Sequence, residues 1–182
     1  MKLLVFAATV LVLVPMGASA TDYPAPQAPA VPAGTGYVDV PDAAVAIDPK
    51  HVYKVMVDGI NAAASPGAVT PALGRASLIV NALTVAHVPA ANRKIVVVFH
   101  GPSVDGLLRD DAYRKQFGVS NPNTQVIEQL AAAGVELFVC AQHMANHKLD
   151  MKMLAPQVKL ATAASIVLIA YQNEGYAVLA DR

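Results

Sequence analysis

Beyond residue 50, the pattern of hydrophobic and polar positions alternates between two periodicities. Short runs rich in β-branched residues indicate strands, and apolar residues repeated every three or four positions indicate helices. The predicted strands cover residues 51–57, 94–99, 135–139, 158–161 and 176–179. The predicted helices cover residues 72–87, 121–134, 141–148 and 165–174, the first of them introduced by Thr70-Pro71.

Two polar segments are predicted to lie outside these elements. Asp58-Gly59 is a turn signal, so the first strand is expected to stop before it. Residues 100–120 combine glycine, proline and several charged side chains, which predicts a solvated loop. The charged residues of this expected loop are Asp105, Arg109, Asp110, Asp111 and Arg114.

Strands that alternate with single helical segments form β-α-β units, whose crossover connections require parallel pairing. The continuous apolar run at residues 94–99 is typical of a strand covered on both faces. We therefore predict an α/β fold, a three-layer α/β/α sandwich with about five mostly parallel strands, as one domain over residues 50–182.

The first twenty residues have the features of a secretory signal peptide. Lys2 supplies a positive charge, residues 3–14 are apolar, and Ala18-Ser19-Ala20 offers the small residues that signal peptidase needs. The sequence therefore predicts an exported, periplasmic protein with no stable membrane insertion after cleavage. An uncleaved anchor is the alternative.

Residues 21–49 carry six prolines among alanine, glycine and threonine, without a helical period. This composition predicts a mostly extended arm, ordered where it crosses a surface or a neighbouring subunit. The alternative is a leader without a fixed structure.

Composition narrows the class of partner. Hydrophobic residues make up 55% of the chain, charged residues 14%, and the formal net charge is +0. This neutral balance argues against general nucleic-acid binding. So little charge also predicts that part of the surface is buried in a homo-oligomer.

Candidate chemistry follows two long strands. Ligands of open α/β sheets bind beyond the carboxyl ends of the strands, where His100-Gly101 and Cys140 are predicted to lie. Cys140 also precedes a predicted helix, whose dipole favours a nucleophilic thiolate. Gly101 permits close approach of the backbone to a ligand. A buried structural cysteine is the alternative.

His143 and His147 follow Cys140 at helical spacing. Three such ligands could hold a metal ion. Alternatively, His143 assists Cys140 in proton transfer, or both imidazoles belong to a solvated helix face. Neither a G-x-G-x-x-G nor a Walker pattern is present, so no nucleotide cofactor is expected.

Three segments in this order resemble the DsrE/DsrF-like family, and more closely its exported branch of uncharacterised DsrE-like proteins. They are KIVVVFHGP at 94–102, GVELFVCAQ at 134–142 and AYQNEGYA at 170–177. The resemblance covers roughly residues 51–182. It implies an α/β/α fold assembled as trimers or hexamers. It also implies a cysteine, here Cys140, that in sulfur-relay members carries a persulfide between partner proteins.

The leading hypothesis is a periplasmic sulfur-handling protein in which Cys140 accepts sulfane sulfur from a donor protein and passes it to an acceptor. His100, Gly101 and Gln142 would bind or polarise the sulfur, with His143 as proton partner. One alternative is a non-catalytic ligand-binding or assembly protein on the same fold. The other is a metal-binding protein that uses Cys140, His143 and His147.

Overall fold

The computed structural model describes residues 23–181. The expected signal peptide, residues 1–20, lies outside the described residues. Within residues 23–181, no helix combines the length and the hydrophobicity needed to cross a membrane.

The described part of the chain contains one sheet of five parallel strands in the order β4-β3-β2-β1-β5. The strands are β1 (Tyr53–Gly59), β2 (Arg93–Phe99), β3 (Glu136–Cys140), β4 (Val158–Ala161) and β5 (Ala177–Ala180). The prediction of an α/β fold with about five mostly parallel strands is therefore confirmed, and the pairing is parallel throughout this sheet.

Helices cover both faces of the sheet, as the three-layer prediction requires. They are α1 (Pro71–Val85), α2 (Asp110–Phe117), α3 (Thr124–Ala132), α4 (Ala141–Asn146) and α5 (Ala164–Asn173). The chain steps from β1 outward to β4 and then returns to β5 on the other side of β1. Because crossovers are right-handed, this reversal of direction places α5 on the face opposite α1 and α3.

The two faces of the sheet bury unequal cores. The major core lies on the α1 and α3 face, where Phe99, Leu73 and Leu130 are fully buried. Among residues 23–181, the minor core lies under α5 and consists of six buried residues, namely Met56, Val96, Val98, Cys140, Ala164 and Val167. The cysteine thus belongs to the face that the ten-residue helix α5 covers.

The end of β1 differs from the expectation. β1 continues through Asp58 and Gly59, which stay in the parallel ladder opposite Val98 and Phe99. A Cβ added to Gly59 would lie 2.9 Å from the Cβ of Ala72 in α1. The glycine therefore reflects close packing of the strand against a helix, and the turn expected at Asp58-Gly59 is wrong.

The prediction of a loop after β2 is also wrong. The segment forms a 3-10 helix at Gly101–Leu107, followed by α2 at Asp110–Phe117. Asp110 in the first turn of α2 pairs with Arg114 at 2.7 Å, and Gly118 ends the helix at φ 76°. Acidic residues at the start of a helix and basic residues near its end stabilise it through the helix dipole. The charges that suggested a loop therefore support a short helix.

Part of the segment before β1 is attached to α1. Gln27 and Tyr37 pair as an antiparallel bridge, which closes the intervening residues into a loop. The side chain of Asn81, fully buried in α1, accepts hydrogen bonds from the backbone N–H groups of Ala30 and Val31 at 3.1 and 2.9 Å. Its amide also donates to the backbone oxygens of Val31 and Thr35. Asn81 thus replaces the hydrogen bonds that a sheet would give to this backbone.

Replacing Asn81 with Ala should lower the free energy of unfolding by about 3 kcal/mol, because it leaves buried backbone groups without partners. Gln129→Ala is the matched control, since Gln129 accepts a single hydrogen bond from the Ala33 backbone. That control should cost about 1 kcal/mol. Urea unfolding measures both values, and hydrogen exchange at Ala30 and Val31 should accelerate in Asn81→Ala. Equal stability of the two variants would contradict the assignment.

Candidate functional site

The carboxyl edge of the sheet brings together polar residues from four strands. Asp58 is the last residue but one of β1, and His100 directly follows β2. Cys140 ends β3, and Asp181 directly follows β5. This edge is where ligands of parallel α/β sheets bind.

Cys140 links β3 to α4. It is the last residue of the strand, pairs with Ala161 of β4, and directly precedes the first residue of α4. Its exposed fraction is 6%, because it packs in the minor core beside Ala164 and Val167 of α5. The thiol therefore has a fixed place under the start of α5 and little contact with solvent.

His100 lies beside Cys140. Phe99 of β2 is in register with Val139 of β3, so the next residue of each strand is again a neighbour. His100 keeps an extended backbone, with φ −152° and ψ 169°, so its side chain points away from the face occupied by Phe99. His100 and Cys140 therefore share the α5 face at the strand ends.

Asp58 completes this arrangement. Its Oδ1 lies 2.8 Å from Nε2 of His100, and the two side chains are 21% and 28% exposed. Because an ionised carboxylate only accepts hydrogen bonds, Nε2 is the donating nitrogen of the pair. In the neutral imidazole this arrangement leaves Nδ1 with the free lone pair.

The backbone around His100 is held by the end of β1. His100 N–H donates to the Gly59 carbonyl at 3.0 Å, and Ser103 N–H donates to the Ile60 carbonyl at 3.1 Å. The buried Ser103 hydroxyl lies 2.7 Å from the Gly59 oxygen and 2.9 Å from the His100 oxygen. Gly101 has φ +59°, a conformation that glycine adopts without strain. Gly101 therefore shapes the turn that carries His100.

Gln142 is placed at the β4 side of the edge. Its side chain is exposed, and its Nε2 donates to the Thr162 backbone oxygen at 3.2 Å. It therefore joins the start of α4 to the connection between β4 and α5. This contact leaves the amide oxygen of Gln142 able to accept a hydrogen bond from a ligand.

His143 in α4 and His147, which directly follows this helix, stack on each other with ring centroids 4.2 Å apart. Burial lowers the pKa of His143 below its ordinary value, and the charges of His147 and His100 lower it further. The carboxylate of Asp105 opposes this effect. The balance favours a neutral His143 that can accept a proton near the edge.

The residues proposed as metal ligands do not form a metal centre in this structure. Among residues 23–181, no group of three or more His, Cys, Asp or Glu side chains is arranged to hold a metal ion. Cys140, His143 and His147 are close in sequence. However, the cysteine packs into the minor core while the two imidazoles stack on each other.

Two carboxylates of this edge were not anticipated from sequence. The sequence predicts a turn at Asp58, and Asp181 carries no recognisable signal. Asp181 is buried, and its Oδ2 accepts hydrogen bonds from the N–H groups of Ile60 and Asn61, both at 2.8 Å. The hydrogen bonds of Asp181 therefore connect the end of β5 to the segment after β1. The alternation along β1, which puts Asp58 on the face of Met56, is the signal that could have identified Asp58.

A small cavity of about 200 Å³ opens near the same edge. It lies between the segment after β1 and the 3-10 helix, and Pro102, Asp105 and Tyr113 contribute to its wall. A larger cavity of about 800 Å³ lies by the starts of α2 and α3, with Arg109, Glu128 and Lys152 in its wall. None of the predicted site residues lines the larger cavity.

A model of the DsrE/DsrF-like family matches residues 65–180, more than half of the chain. The chain belongs to this family. The resemblance found in the sequence is therefore confirmed, and the family assignment covers β2, β3 and the segments that carry His100 and Cys140. No curated protein sequence matches the chain.

Two solved structures are similar to this member of the DsrE/DsrF-like family. The ychN protein from E. coli shares 16% identity with a TM-score of 0.52. MTH1491 from Methanobacterium thermoautotrophicum, a protein of unknown function, shares 19% identity with a TM-score of 0.48. Each comparison covers 70% of this chain and 98% of the other. The ychN comparison supports the assigned fold.

The pKa of His143 provides a test of the site geometry. In the native protein, His143 should titrate below the ordinary value of 6.5. His147→Ala should raise this pKa, because it removes a neighbouring positive charge and uncovers the ring. Asp105→Asn should lower the pKa, because it removes the opposing carboxylate. NMR titration of the imidazole protons measures all three, with His143→Gln identifying the resonance. Shifts in the same direction for both variants would contradict this arrangement.

Proposed function

We propose that the protein carries sulfane sulfur as a persulfide on Cys140. Membership of the DsrE/DsrF-like family supports a fold of the sulfur-relay type. The observation that carries the proposal is the position of Cys140 at the end of β3, beside His100 on the ligand-binding edge. A structural cysteine would need neither the edge position nor an imidazole neighbour.

Loading consists of a nucleophilic displacement on sulfur. The Cys140 thiolate attacks the sulfane sulfur of a donor such as thiosulfate, and a new sulfur–sulfur bond forms. The old sulfur–sulfur bond breaks, and sulfite leaves with the electron pair. Charge and electrons balance without an external oxidant, and the product is a Cys140 persulfide.

Delivery is the same displacement on the outer sulfur. An acceptor thiolate attacks that atom, the bond to Cys140 Sγ breaks, and the Cys140 thiolate is restored. Delivery therefore transfers one sulfur atom to the acceptor, which becomes a persulfide. We propose donor and acceptor proteins as the partners.

The neighbouring groups have distinct roles in this scheme. The imidazole of His100 orients or polarises the bound sulfur, and Gln142 assists through its amide group. Gly101 sets the turn at which the backbone approaches the ligand. His143, whose pKa is lowered chiefly by burial, is a neutral proton partner. We further propose that this chemistry takes place in the periplasm after export by the signal peptide at residues 1–20.

A second function uses the same fold without sulfur chemistry. The low exposure of Cys140 is the observation that favours it, since a thiol buried in a core is chemically inert. In that case the edge would bind another ligand or support assembly. Resistance of Cys140 to thiol reagents in the folded protein would distinguish this function from sulfur carriage.

Exposure of the mature protein to thiosulfate or polysulfide should add the mass of one sulfur atom. Because Cys140 is the only cysteine in the chain, the added sulfur has one expected position. Reductant should remove it, and Cys140→Ser should acquire none. Intact-mass spectrometry measures the addition, and circular dichroism checks that the variant folds.

The outcomes separate the two functions. Sulfur addition of equal extent in Cys140→Ser would overturn the persulfide proposal. An unchanged mass of the native protein, with Cys140 shown to react with iodoacetamide, would overturn sulfur carriage while leaving the fold assignment intact.

We also propose that the protein assembles as a homo-oligomer through the outer surface of α5. Ile166 and Ile169 on this helix are each 55% exposed, and the chain has few charges with which to solvate an apolar surface. Burial of both side chains between copies would remove this apolar surface from water. Trimers or hexamers are the states that the family resemblance implied.

Sedimentation of the native protein at micromolar concentration should show a trimer or hexamer, and Ile169→Lys should shift it toward monomer. A lysine there places a charge in the proposed contact but remains exposed in the monomer. Gln125→Lys, at an exposed position on α3, adds the same single charge and should leave assembly unchanged. A monomeric native protein would contradict the proposal.

A further inference from the structure

Asp58 occupies an unusual place for a carboxylate. Alternation along β1 puts its side chain on the same face as Met56, which is fully buried in the minor core. Its neighbour in register on β2, Val98, is fully buried in the same core. A charge beside such a core is costly unless it has a partner. The partner here is Nε2 of His100, 2.8 Å away.

The carboxylate, the imidazole and the thiol come from three adjacent strands. Asp58 lies on β1, His100 follows β2, and Cys140 ends β3. Neighbouring strands are about 5 Å apart, and His100 follows the strand between the one that carries the carboxylate and the one that carries the thiol. Asp105, His143 and His147 are titratable groups near this row, since their charges act on one another or on His100. The Asp181 carboxylate lies at the same edge and accepts hydrogen bonds from the backbone after β1.

The hydrogen bond selects one form of the imidazole. Because the carboxylate accepts from Nε2–H, the neutral ring keeps its lone pair at Nδ1. Without the carboxylate, the proton could occupy either nitrogen. Asp58 also faces the positive charge that forms when the ring takes up a second proton.

We infer that Asp58 is a positioning residue for sulfur loading, holding His100 in the tautomer that removes the thiol proton of Cys140. This inference rests on the proposed function of Cys140, and it assigns the proton transfer of the loading step to His100 in place of His143. The S–H bond of Cys140 breaks and its proton moves to Nδ1 of His100, leaving the electron pair on sulfur. That pair forms the bond to the sulfane sulfur of thiosulfate, and sulfite leaves as its own sulfur–sulfur bond breaks. The resulting imidazolium is compensated by the Asp58 carboxylate.

Asp58→Asn tests this inference, because the amide keeps the size of the side chain but can donate to Nε2 and stabilise the opposite tautomer. Loading from thiosulfate should slow by about a hundredfold, the usual contribution of a positioned proton acceptor. The half-saturating thiosulfate concentration should stay unchanged, because Asp58 does not bind the donor. Asp111→Asn, which removes an exposed carboxylate in α2, should load at the native rate.

A double variant separates positioning from structure. In the His100→Gln background, adding Asp58→Asn should cause little further loss, because Asp58 acts through the imidazole. A full additional loss in that background would overturn the inference. Native-rate loading in the single variant Asp58→Asn would do the same.

Two further measurements do not depend on sulfur loading. Nitrogen NMR of the native protein should find the His100 proton on Nε2, and a proton on Nδ1 would overturn the inference even if Asp58→Asn does not fold. Alkylation of Cys140 by iodoacetamide should also slow in Asp58→Asn. If the native protein takes up no sulfur, the proposed function fails, whereas slowed alkylation and the Nε2 tautomer would still support the role of Asp58.

Discussion

The parallel ladder that joins β1, β2 and β3 determines where the candidate site forms. Phe99 pairs with Gly59 on one side and Val139 on the other, so three strand ends lie at the same level. A shift of one residue in either register would turn a site side chain to the opposite face. The site therefore depends on apolar packing along the strands, which favours this register over a shifted one.

The unequal cores explain why the cysteine lies on the α5 face. Three successive crossovers in one direction build the major core, and the single reversed crossover supplies α5 for the other face. The minor core is consequently small, and its helix retains apolar side chains on its outer surface. A face with this character serves both proposals, a thiol at the edge of a small core and a contact between copies.

Much of the fold could be predicted from sequence because the relevant signals are local. The apolar run of β2, the short strand β4 and the glycine that follows α3 each identify an element from its own residues. The prediction of a loop around Asp110 is wrong because charged residues are common both in loops and in short capped helices. The hydrogen bonds that the N–H groups of Ala30 and Val31 donate to the side-chain oxygen of Asn81 join residues about fifty positions apart, so no local sequence pattern predicts them.

The candidate site was predictable in part for the same reason. His100 and Cys140 follow recognisable strands, whereas Asp58 combines with Gly59 into a dipeptide that usually marks a turn. Its role depends on a neighbour 42 residues away, and only the register reveals it. The Asp58-Gly59 pair is compatible with a turn or with a strand that packs closely against a helix. The close approach of Gly59 to Ala72 explains the glycine within a strand.

Side chains packed against the two faces of the sheet bury Cys140, whereas a sulfur donor would approach it from the carboxyl edge. Burial of the thiol is therefore compatible with the proposed transfer of sulfur. Both faces of the sheet at this point are closed by packed side chains, so under the proposed function a donor would have to approach the thiol from the carboxyl edge, where His100 and Gln142 lie. Small side chains at Ala161 and Ala164 keep the bulk around the thiol low. A persulfide held there would be shielded from water on the faces and open to an acceptor at the edge.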